Sequence, residues 1–233
     1  MAWGQMAPMP GPGIAPSGGG GTCCTVGVAS ANEDFGGHAV SLGAVNHPAG
    51  SGIFCIASWD GFTGSVTFTN TASDTWNALD TWNDGGSFQR FSTAYVKSSS
   101  GNASDVVTAT LSLTATQVAA SCLSFTGQDA TTPLDQHTTG VCSSCTTVTS
   151  SAFTTTAAKE IIIAGLGMYN SGRTPTAGNI GGSAAAIPSG GTSTFKFISI
   201  EYLIVTSTQT GATADMSISS SSLAVGLGVA TFK

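Results

Sequence analysis

The chain has 233 residues, 8% of them charged, and its six Lys and Arg against twelve Asp and Glu give a formal net charge of −6. This length is enough for one full β-sandwich core. An acidic chain lacks the basic surface that displaces counter-ions from a phosphate backbone, so nucleic-acid binding is excluded as a main activity.

Residues 1–21 are predicted to form an extended arm. They hold half of the eight prolines and a run of four glycines, which form neither a core nor a regular strand ladder. We expect the arm to dock along a neighbouring subunit, with Trp3, Met6, Met9 and Ile14 as its apolar anchors. The alternative is that the arm folds back on its own domain.

The N-terminus has neither the basic region nor the continuous apolar region of a secretory signal. The apolar runs EIIIAGLGM and ISIEYLIV are too short for a membrane span, so no membrane partner is expected. We expect a protein made in a host cytoplasm, released by lysis and placed on a virion exterior. A secreted, extracellular protein whose signal has been removed is the alternative.

Residues 22–233 are predicted to form a single all-β domain, a two-sheet antiparallel β-sandwich of jelly-roll type. Short runs of alternating apolar and polar residues are separated by turn residues, which indicates about ten to twelve strands. The clearest run is VVTATLSL, in which Val107, Ala109, Leu111 and Leu113 share the face predicted to be buried. The other predicted strands are 38–45, 52–59, 65–70, 88–96, 117–125, 160–168, 194–205, 214–219 and 223–232, with weaker candidates at 26–30 and 146–153.

Helix is expected at no more than one or two short turns, and the longest irregular stretches are predicted at 127–147 and 170–194. A change of apolar phase near Phe197 predicts a β-bulge there. The residues expected in the core are Val107, Leu111, Ile162, Ile198 and Ile200.

The six cysteines divide into two groups. Cys55 and Cys122 lie in apolar runs, where we expect small buried thiols. Cys23, Cys24, Cys142 and Cys145 lie in segments rich in Gly, Ser and Thr and are the disulfide candidates, within one chain or between chains. We expect Cys23 and Cys24 to take two different partners, because a bond between adjacent residues is strained. A zinc site is disfavoured, since a vicinal pair suits a tetrahedral site poorly.

The sequence predicts no catalytic centre, cofactor or metal ion. His38, His47 and His137 form no metal-ligand spacing, and no nucleotide-binding loop is present. Carboxylates for glycoside hydrolysis would come from the aspartates, but residues of this type beside Gly, Ser, Asn or Thr usually bond to turn backbone. Asp80 and Asp84 lack the regular spacing of a calcium loop.

Trp59, Trp76 and Trp82 lie close together in sequence and are candidates for contact with a glycan. Large aromatic residues at strand ends more often close the ends of a sandwich. We therefore regard a sugar-binding platform formed by the three tryptophans as the less favoured interpretation.

From residue 50 onward, the order of features resembles a β-sandwich domain of tailed-phage virion proteins and bacterial surface proteins. The matching pieces are IFCIASWDG, NTASDTWNAL, FSTAYVKSSSG, VVTATLSL, AASCLSFTGQ, the short PLD at 133–135, and SSAFTTTAAKEIIIAGLG. The resemblance implies a non-enzymatic virion structural protein: a head decoration, collar or fibre component. Its expected partners are copies of itself, a trimer among the options, other virion proteins and host-surface glycans. A secreted carbohydrate-binding or adhesive module is the alternative, and a glycan-degrading tail enzyme is a third.

Overall fold

The structure is a computed structural model that describes residues 23–61, 63–86, 89–169, 172–193 and 197–233. Every regular element in these ranges is a β-strand, which confirms the all-β prediction. No helix in the described part of the chain is long and apolar enough to cross a membrane. The arm, with Trp3, Met6, Met9 and Ile14, lies outside the described residues.

The described residues form 18 strands. Their bounds are Thr25–Phe35 (β1), Ala39–Ser41 (β2), Val45–His47 (β3), Gly52–Asp60 (β4), Val66–Asn70 (β5), Trp76–Asn83 (β6), Gln89–Val96 (β7), Asn102–Asp105 (β8), Val107–Leu111 (β9), Gln117–Thr126 (β10), Leu134–Cys142 (β11), Cys145–Thr149 (β12), Glu160–Met168 (β13), Pro175–Ile180 (β14), Ser183–Ala184 (β15), Ile198–Val205 (β16), Ala214–Ser222 (β17) and Val225–Phe232 (β18).

The strands form five antiparallel sheets instead of the two that the sequence predicted. Sheet I has the order β1-β10-β4-β7-β6 and sheet II the order β2-β9-β5. Sheet III has the order β11-β18-β13-β16, sheet IV the order β12-β17-β14-β15, and sheet V contains β3 and β8.

The burial pattern separates inner sheets from outer sheets. Strands β4 of sheet I and β13 of sheet III are apolar runs whose side chains are buried on both faces, apart from Asp60 at the end of β4. A strand reads as a continuous apolar run when both faces of its sheet are covered. Strand β9 of sheet II alternates buried and less buried residues, because only one of its faces is covered. Sheets I and III are therefore the inner sheets, and sheets II and IV the outer ones.

Apolar side chains fill three spaces between these sheets. One cluster joins sheets I and II and includes Trp59, Phe68 and Leu111. A second cluster joins sheets III and IV, where Leu166 and Met216 are fully buried. The third joins the two inner sheets, around residues such as Phe54, Phe125, Ile161, Ile163 and Phe232.

The inner sheets approach closely because sheet III presents glycines to sheet I. A Cβ atom on Gly165 would lie 2.6 Å from Cγ2 of Ile56, and one on Gly226 would lie 2.6 Å from Cδ2 of Phe91. These distances are too short for a larger residue. The glycines of β13 and β18 thus fix the spacing between the two halves of the molecule.

The predicted core residues Val107, Leu111, Ile162, Ile198 and Ile200 are all buried, as expected. Leu113 is an error in the predicted face of VVTATLSL: it is 49% exposed, because β9 ends at Leu111.

The predicted irregular stretches were also wrong. The stretch 127–147 contains β11, and the stretch 170–194 contains β14 and β15. Strands β11, β14 and β15 consist mostly of polar or small residues and carry little apolar alternation, so the pattern did not indicate them. The bulge expected near Phe197 falls partly on residues 194–196, which lie outside the described residues.

Candidate functional site

One group of hydrogen-bonded polar side chains centres on Asp105, at the end of β8. Its carboxylate accepts hydrogen bonds from Asn70 Nδ2 at 2.7 Å, Thr71 Oγ1 at 2.8 Å and the backbone N–H of Ala72 at 3.0 Å. His47 Nδ1 lies 2.9 Å from Asp105 Oδ2, and both side chains are buried. An ionised carboxylate only accepts hydrogen bonds, so Nδ1 of His47 carries the proton.

Asn70 connects this carboxylate to a second one. Its Nδ2 also donates to Asp74 Oδ2 at 2.8 Å, while its Oδ1 accepts the backbone N–H of Asp74 at 2.9 Å. Between them the chain turns at Ser73, whose φ is 58°. Asp74 Oδ1 accepts the N–H of Ser100 at 2.7 Å and its hydroxyl at 2.9 Å. We call His47, Asn70, Thr71, Asp74, Ser100 and Asp105 the aspartate network.

Both aspartates in this network are held ionised. Burial raises the pKa of Asp105, but hydrogen bonds from His47, Asn70, Thr71 and Ala72 outweigh it, and the pKa lies below its usual value. The pKa of Asp74 is lowered in the same way, with burial opposed by hydrogen bonds from Ser100, Asn70 and Ser99. Carboxylates engaged in this way are poor proton donors. Their chemistry here is to tie together the turns at the ends of β3, β5 and β8.

A polar groove opens beside Asp74, with a volume of about 550 Å³. Its lining consists of hydroxyls, one amide, one carboxylate and one ammonium group, from Ser73, Asp74, Thr75, Asn77, Lys97, Ser98, Ser99 and Ser100. Such a surface offers hydrogen bonds in several directions beside apolar area from the same side chains. It suits an uncharged, hydroxyl-rich ligand that also has apolar faces.

A second polar centre is a carboxyl pair, Glu160 and Asp135, near the C-terminus. Burial raises the pKa of Glu160 to about 7, and its hydrogen bond to Asp135 and the charge of that group act in the same direction. Burial also acts to raise the pKa of Asp135, but hydrogen bonds from Thr156 and Glu160 outweigh it and lower the pKa. Lys233 Nζ lies 3.7 Å from Asp135 Oδ1. Because Glu160 begins β13 and Asp135 lies in β11, the pair connects these two strands, and Asp135 also contacts Lys233 after β18.

Glu201 on β16 is a third acid with no solvent exposure, like Asp105 and Glu160. Its Oε2 accepts the backbone N–H of Gly178 at 2.9 Å, whereas Oε1 has no hydrogen-bond partner among the described residues. Burial raises the pKa of Glu201 to about 8, and the negative charge of Asp215 adds to the shift. Glu201 is therefore mainly protonated at neutral pH.

Four further aspartates accept hydrogen bonds from turns or contact neighbouring strands. Asp60 accepts the backbone N–H of Gln117 at 2.9 Å, and Asp129 accepts those of Thr131 and Thr132. Asp80 Oδ2 lies 2.7 Å from His137 Nδ1, and Asp84 accepts the N–H of Gly86 at 3.2 Å. Asp84 and Asp129 thus have the turn-bonding role that their neighbours in sequence indicated, whereas Asp60 and Asp80 contact residues of β10 and β11.

No group of three or more His, Cys, Asp or Glu in the described ranges is placed to hold a metal ion. His38 Nε2 lies 2.6 Å from the hydroxyl of Thr114, whereas His47 contacts Asp105 and His137 contacts Asp80. The expected absence of catalysis, cofactor and metal stays a prediction.

The structure corrects two expectations about the cysteines. Cys55 and Cys122 are buried, as expected, but they form a disulfide instead of remaining free thiols. Cys23 and Cys24 are bonded to each other and not to two different partners. Both residues lie at the start of β1, so the bond involves no distant part of the chain.

The last pair is Cys142 with Cys145, across the tight turn between β11 and β12. Their Cα atoms are 6.0 Å apart, and the turn passes through Ser144 with a φ of 58°. All four disulfide candidates are therefore paired locally within the chain.

The three tryptophans have different partners. Trp59 is 2% exposed, and its Nε1–H donates to the carbonyl of Thr63 at 3.2 Å. Trp76 stacks on Phe68 with ring centroids 5.4 Å apart, and Trp82 stacks on Phe91 at 5.5 Å. They do not form one common platform, and contact with a glycan stays a prediction.

Sequence reasoning did not find the aspartate network or the two buried glutamates. A signal existed for the glutamates, since Glu160 and Glu201 each stand in an otherwise apolar run. A charged residue in such a run is either paired or protonated. The link from His47 to Asp105 spans 58 positions and leaves no local pattern.

No family model, no curated protein and no solved structure matches this chain.

Proposed function

We propose that this chain is a non-enzymatic structural protein on the exterior of a tailed-phage virion, serving as a head decoration, collar or fibre component. In this proposal it assembles with copies of itself and with other virion proteins. The observation that carries the proposal is a strand order that occurs twice in the chain.

The strand order supports a jelly roll as the fold. In that fold, strands one, eight, three and six form one sheet, and strands two, seven, four and five form the other. Strands β11 to β18 have this order in sheets III and IV. When β3 and β8 are set aside, the strands from β1 to β10 follow it in sheets I and II, except that β6 pairs with β7. The proposed fold is thus two jelly rolls joined through their inner sheets.

Jelly rolls are frequent in viral capsid proteins and in lectins, so the fold supports a virion role without requiring it. Two further features agree with a structural role. The outward face of sheet II is neutral, with exposed hydroxyls at Thr67, Thr69 and Thr110. The aspartate network and the pair of Glu160 with Asp135 use their carboxylates to fasten loops and strand ends.

Sedimentation velocity on the full chain tests the proposal. We expect a closed oligomer for the full chain, and electron microscopy should show particles of one size. Deleting residues 1–21 should abolish the oligomer while the circular dichroism spectrum stays that of a β protein. A full chain that remains monomeric at every concentration, and that binds no other virion protein, would contradict the proposal.

A carbohydrate-binding module is the second candidate, because the groove beside Asp74 is lined with hydroxyls. Affinity electrophoresis in gels containing polysaccharide would detect it as saturable retardation. Asn77→Ala and Lys97→Ala should remove that retardation, whereas Thr110→Ala on the outer face of sheet II should leave it unchanged. Equal retardation of all three variants would exclude the groove as the binding site.

A further inference from the structure

Sheets I and II form the first half of the molecule, and sheets III and IV form the second half. The two halves differ at one edge of their outer sheets, II and IV. In sheet IV, the short strand β15 continues the sheet beyond β14. The corresponding strand of the first half, β6, pairs instead with β7 of sheet I. Within the described residues β5 pairs with β9 alone, so one edge of β5 is open. Unpaired strand edges present backbone groups that can accept another strand.

A groove of about 190 Å³ lies between the open edge of β5 and strand β6. The stacked rings of Phe68 and Trp76 form its aromatic wall, with an interplanar angle of 24°. The full lining is Val66, Thr67, Phe68, Trp76, Ala78, Ser92, Thr93 and Ala94, none of which is charged. The volume suits one large side chain, inserted beside a strand that pairs with β5.

We propose that residues 1–7 of a neighbouring copy's arm add to the edge of β5 and place Trp3 in this groove. Strand addition at an open sheet edge obtains affinity from backbone hydrogen bonds and specificity from pockets for alternate side chains. The inference rests on the proposed function in one respect, namely that the arm comes from a second copy.

The sequence of the arm fits this edge. Residues 1–7 contain no proline, since the first one is Pro8, so the backbone N–H groups of this segment remain available for pairing. The segment is uncharged in its side chains, as is the groove. In an extended strand Trp3 points to one face and Met6 to the other, so Trp3 can enter the groove while Met6 covers the outside.

The length of the arm also fits. Thr25 of β1 and Trp76 of β6 lie at the same end of sheet I, as the registers of Thr25 with Thr126 and of Trp76 with Val96 place them. Four strand spacings separate β1 from β6, which is about 19 Å. Residues 8–22, fully extended, span about 50 Å. The arm is therefore more than twice as long as the path to this groove on its own protomer, so its length also leaves about 30 Å for reaching a groove on a neighbouring copy.

Photo-crosslinking of the full chain tests the inference. Trp3 is replaced by benzoyl-phenylalanine, and the protein is prepared as a mixture of chains with natural isotopes and chains labelled with ¹⁵N. After irradiation, mass spectrometry should find links from position 3 to peptides of residues 66–78, joining a labelled chain to an unlabelled one. Links to these peptides within one chain would show that the arm does not come from a neighbouring copy. Links to other regions would show that Trp3 does not bind in the groove.

Two variants in the same background sharpen the result. Ala78→Arg should lower the crosslink yield about tenfold, because a charge placed in an uncharged groove loses hydration. Thr110→Arg adds the same charge to the outer face of sheet II and should leave the yield unchanged. Equal yields for both variants would contradict the inference. Sedimentation of the unmodified chain tests the proposed function separately, since it reports assembly whichever surface receives the arm.

Discussion

Cys55 and Cys122 stand directly opposite each other on β4 and β10, with Cα atoms 4.1 Å apart, and are joined by a disulfide. Both side chains belong to the core between sheets I and II. The bond therefore connects two adjacent central strands of sheet I inside an apolar layer, where reductants have little access.

Replacing Cys55 and Cys122 together by alanine should lower the free energy of unfolding by about 4 kcal/mol in the chain-entropy model. The bond closes a loop of 67 residues, and its loss gives that entropy back to the unfolded chain. Replacing Cys142 and Cys145 should cost about 1.5 kcal/mol, since their separation is only three. Urea denaturation of the oxidised proteins measures both, and equal losses would contradict this assignment.

Leu111→Ala should lower the free energy of unfolding by about 2 to 5 kcal/mol, because it leaves a cavity between sheets I and II. Leu113→Ala is the matched control: the same change two positions later, on a side chain that is 49% exposed. Its effect should stay within about half a kcal/mol. Urea denaturation midpoints compare the two variants directly. A larger loss of unfolding free energy for Leu113→Ala than for Leu111→Ala would contradict the assignment of Leu111 to the core.

The parts of the fold that could be predicted from sequence are the apolar strands. Runs such as β4, β10, β13 and β18 carry enough buried side chains for their composition to indicate them. Strands such as β14 and β15 owe their place to pairing with a neighbour, and side-chain pattern does not record pairing. For the same reason the sequence predicted two sheets: which strands pair is a property of the whole chain.

The candidate site was less accessible to sequence reasoning than the fold. Each aspartate could be assigned to a turn from its neighbours, and that assignment agrees with Asp84 and Asp129. The contact of Asp105 with His47 depends on β3 and β8 meeting in sheet V. Strands of three and four residues give no periodicity from which that meeting could be foreseen.

Asp105→Asn should lower the free energy of unfolding by about 3 kcal/mol. The buried carboxylate accepts four hydrogen bonds. In the asparagine variant an NH₂ group replaces one acceptor oxygen, so some of these donors would face another donor and lose their hydrogen bond. Asp80→Asn serves as the control, because its contact with His137 is partly exposed and should contribute less than about 1 kcal/mol. Thermal unfolding at neutral pH measures both variants, and equal shifts would contradict a special role for the aspartate network.

The last prediction concerns Glu201 and the pH dependence of stability. Its folded-state pKa is raised to about 8, from 4.5 when the group is free, so between these values the folded chain binds more protons than the unfolded chain. Stability must then fall as pH rises through this interval. At about 1.4 kcal/mol for each pH unit, the decrease attributable to Glu201 between pH 5 and pH 7 is about 2 to 3 kcal/mol.

Glu201→Gln should remove this dependence, because glutamine can still accept the N–H of Gly178 but does not ionise. The difference in unfolding free energy between the variant and the unaltered protein should therefore grow in favour of the variant as pH rises from 5 to 8. Asp215→Asn should make the decrease smaller and end it at a lower pH, since it removes the negative charge that raises the folded-state pKa of Glu201 and leaves the unfolded-state pKa unchanged. Glu160 also has a raised pKa and contributes to the slope in every variant, so only differences between pH profiles report on Glu201. Urea denaturation at half-unit pH steps gives these profiles, and parallel curves for Glu201→Gln and the unaltered protein would show that Glu201 is already ionised in the folded state.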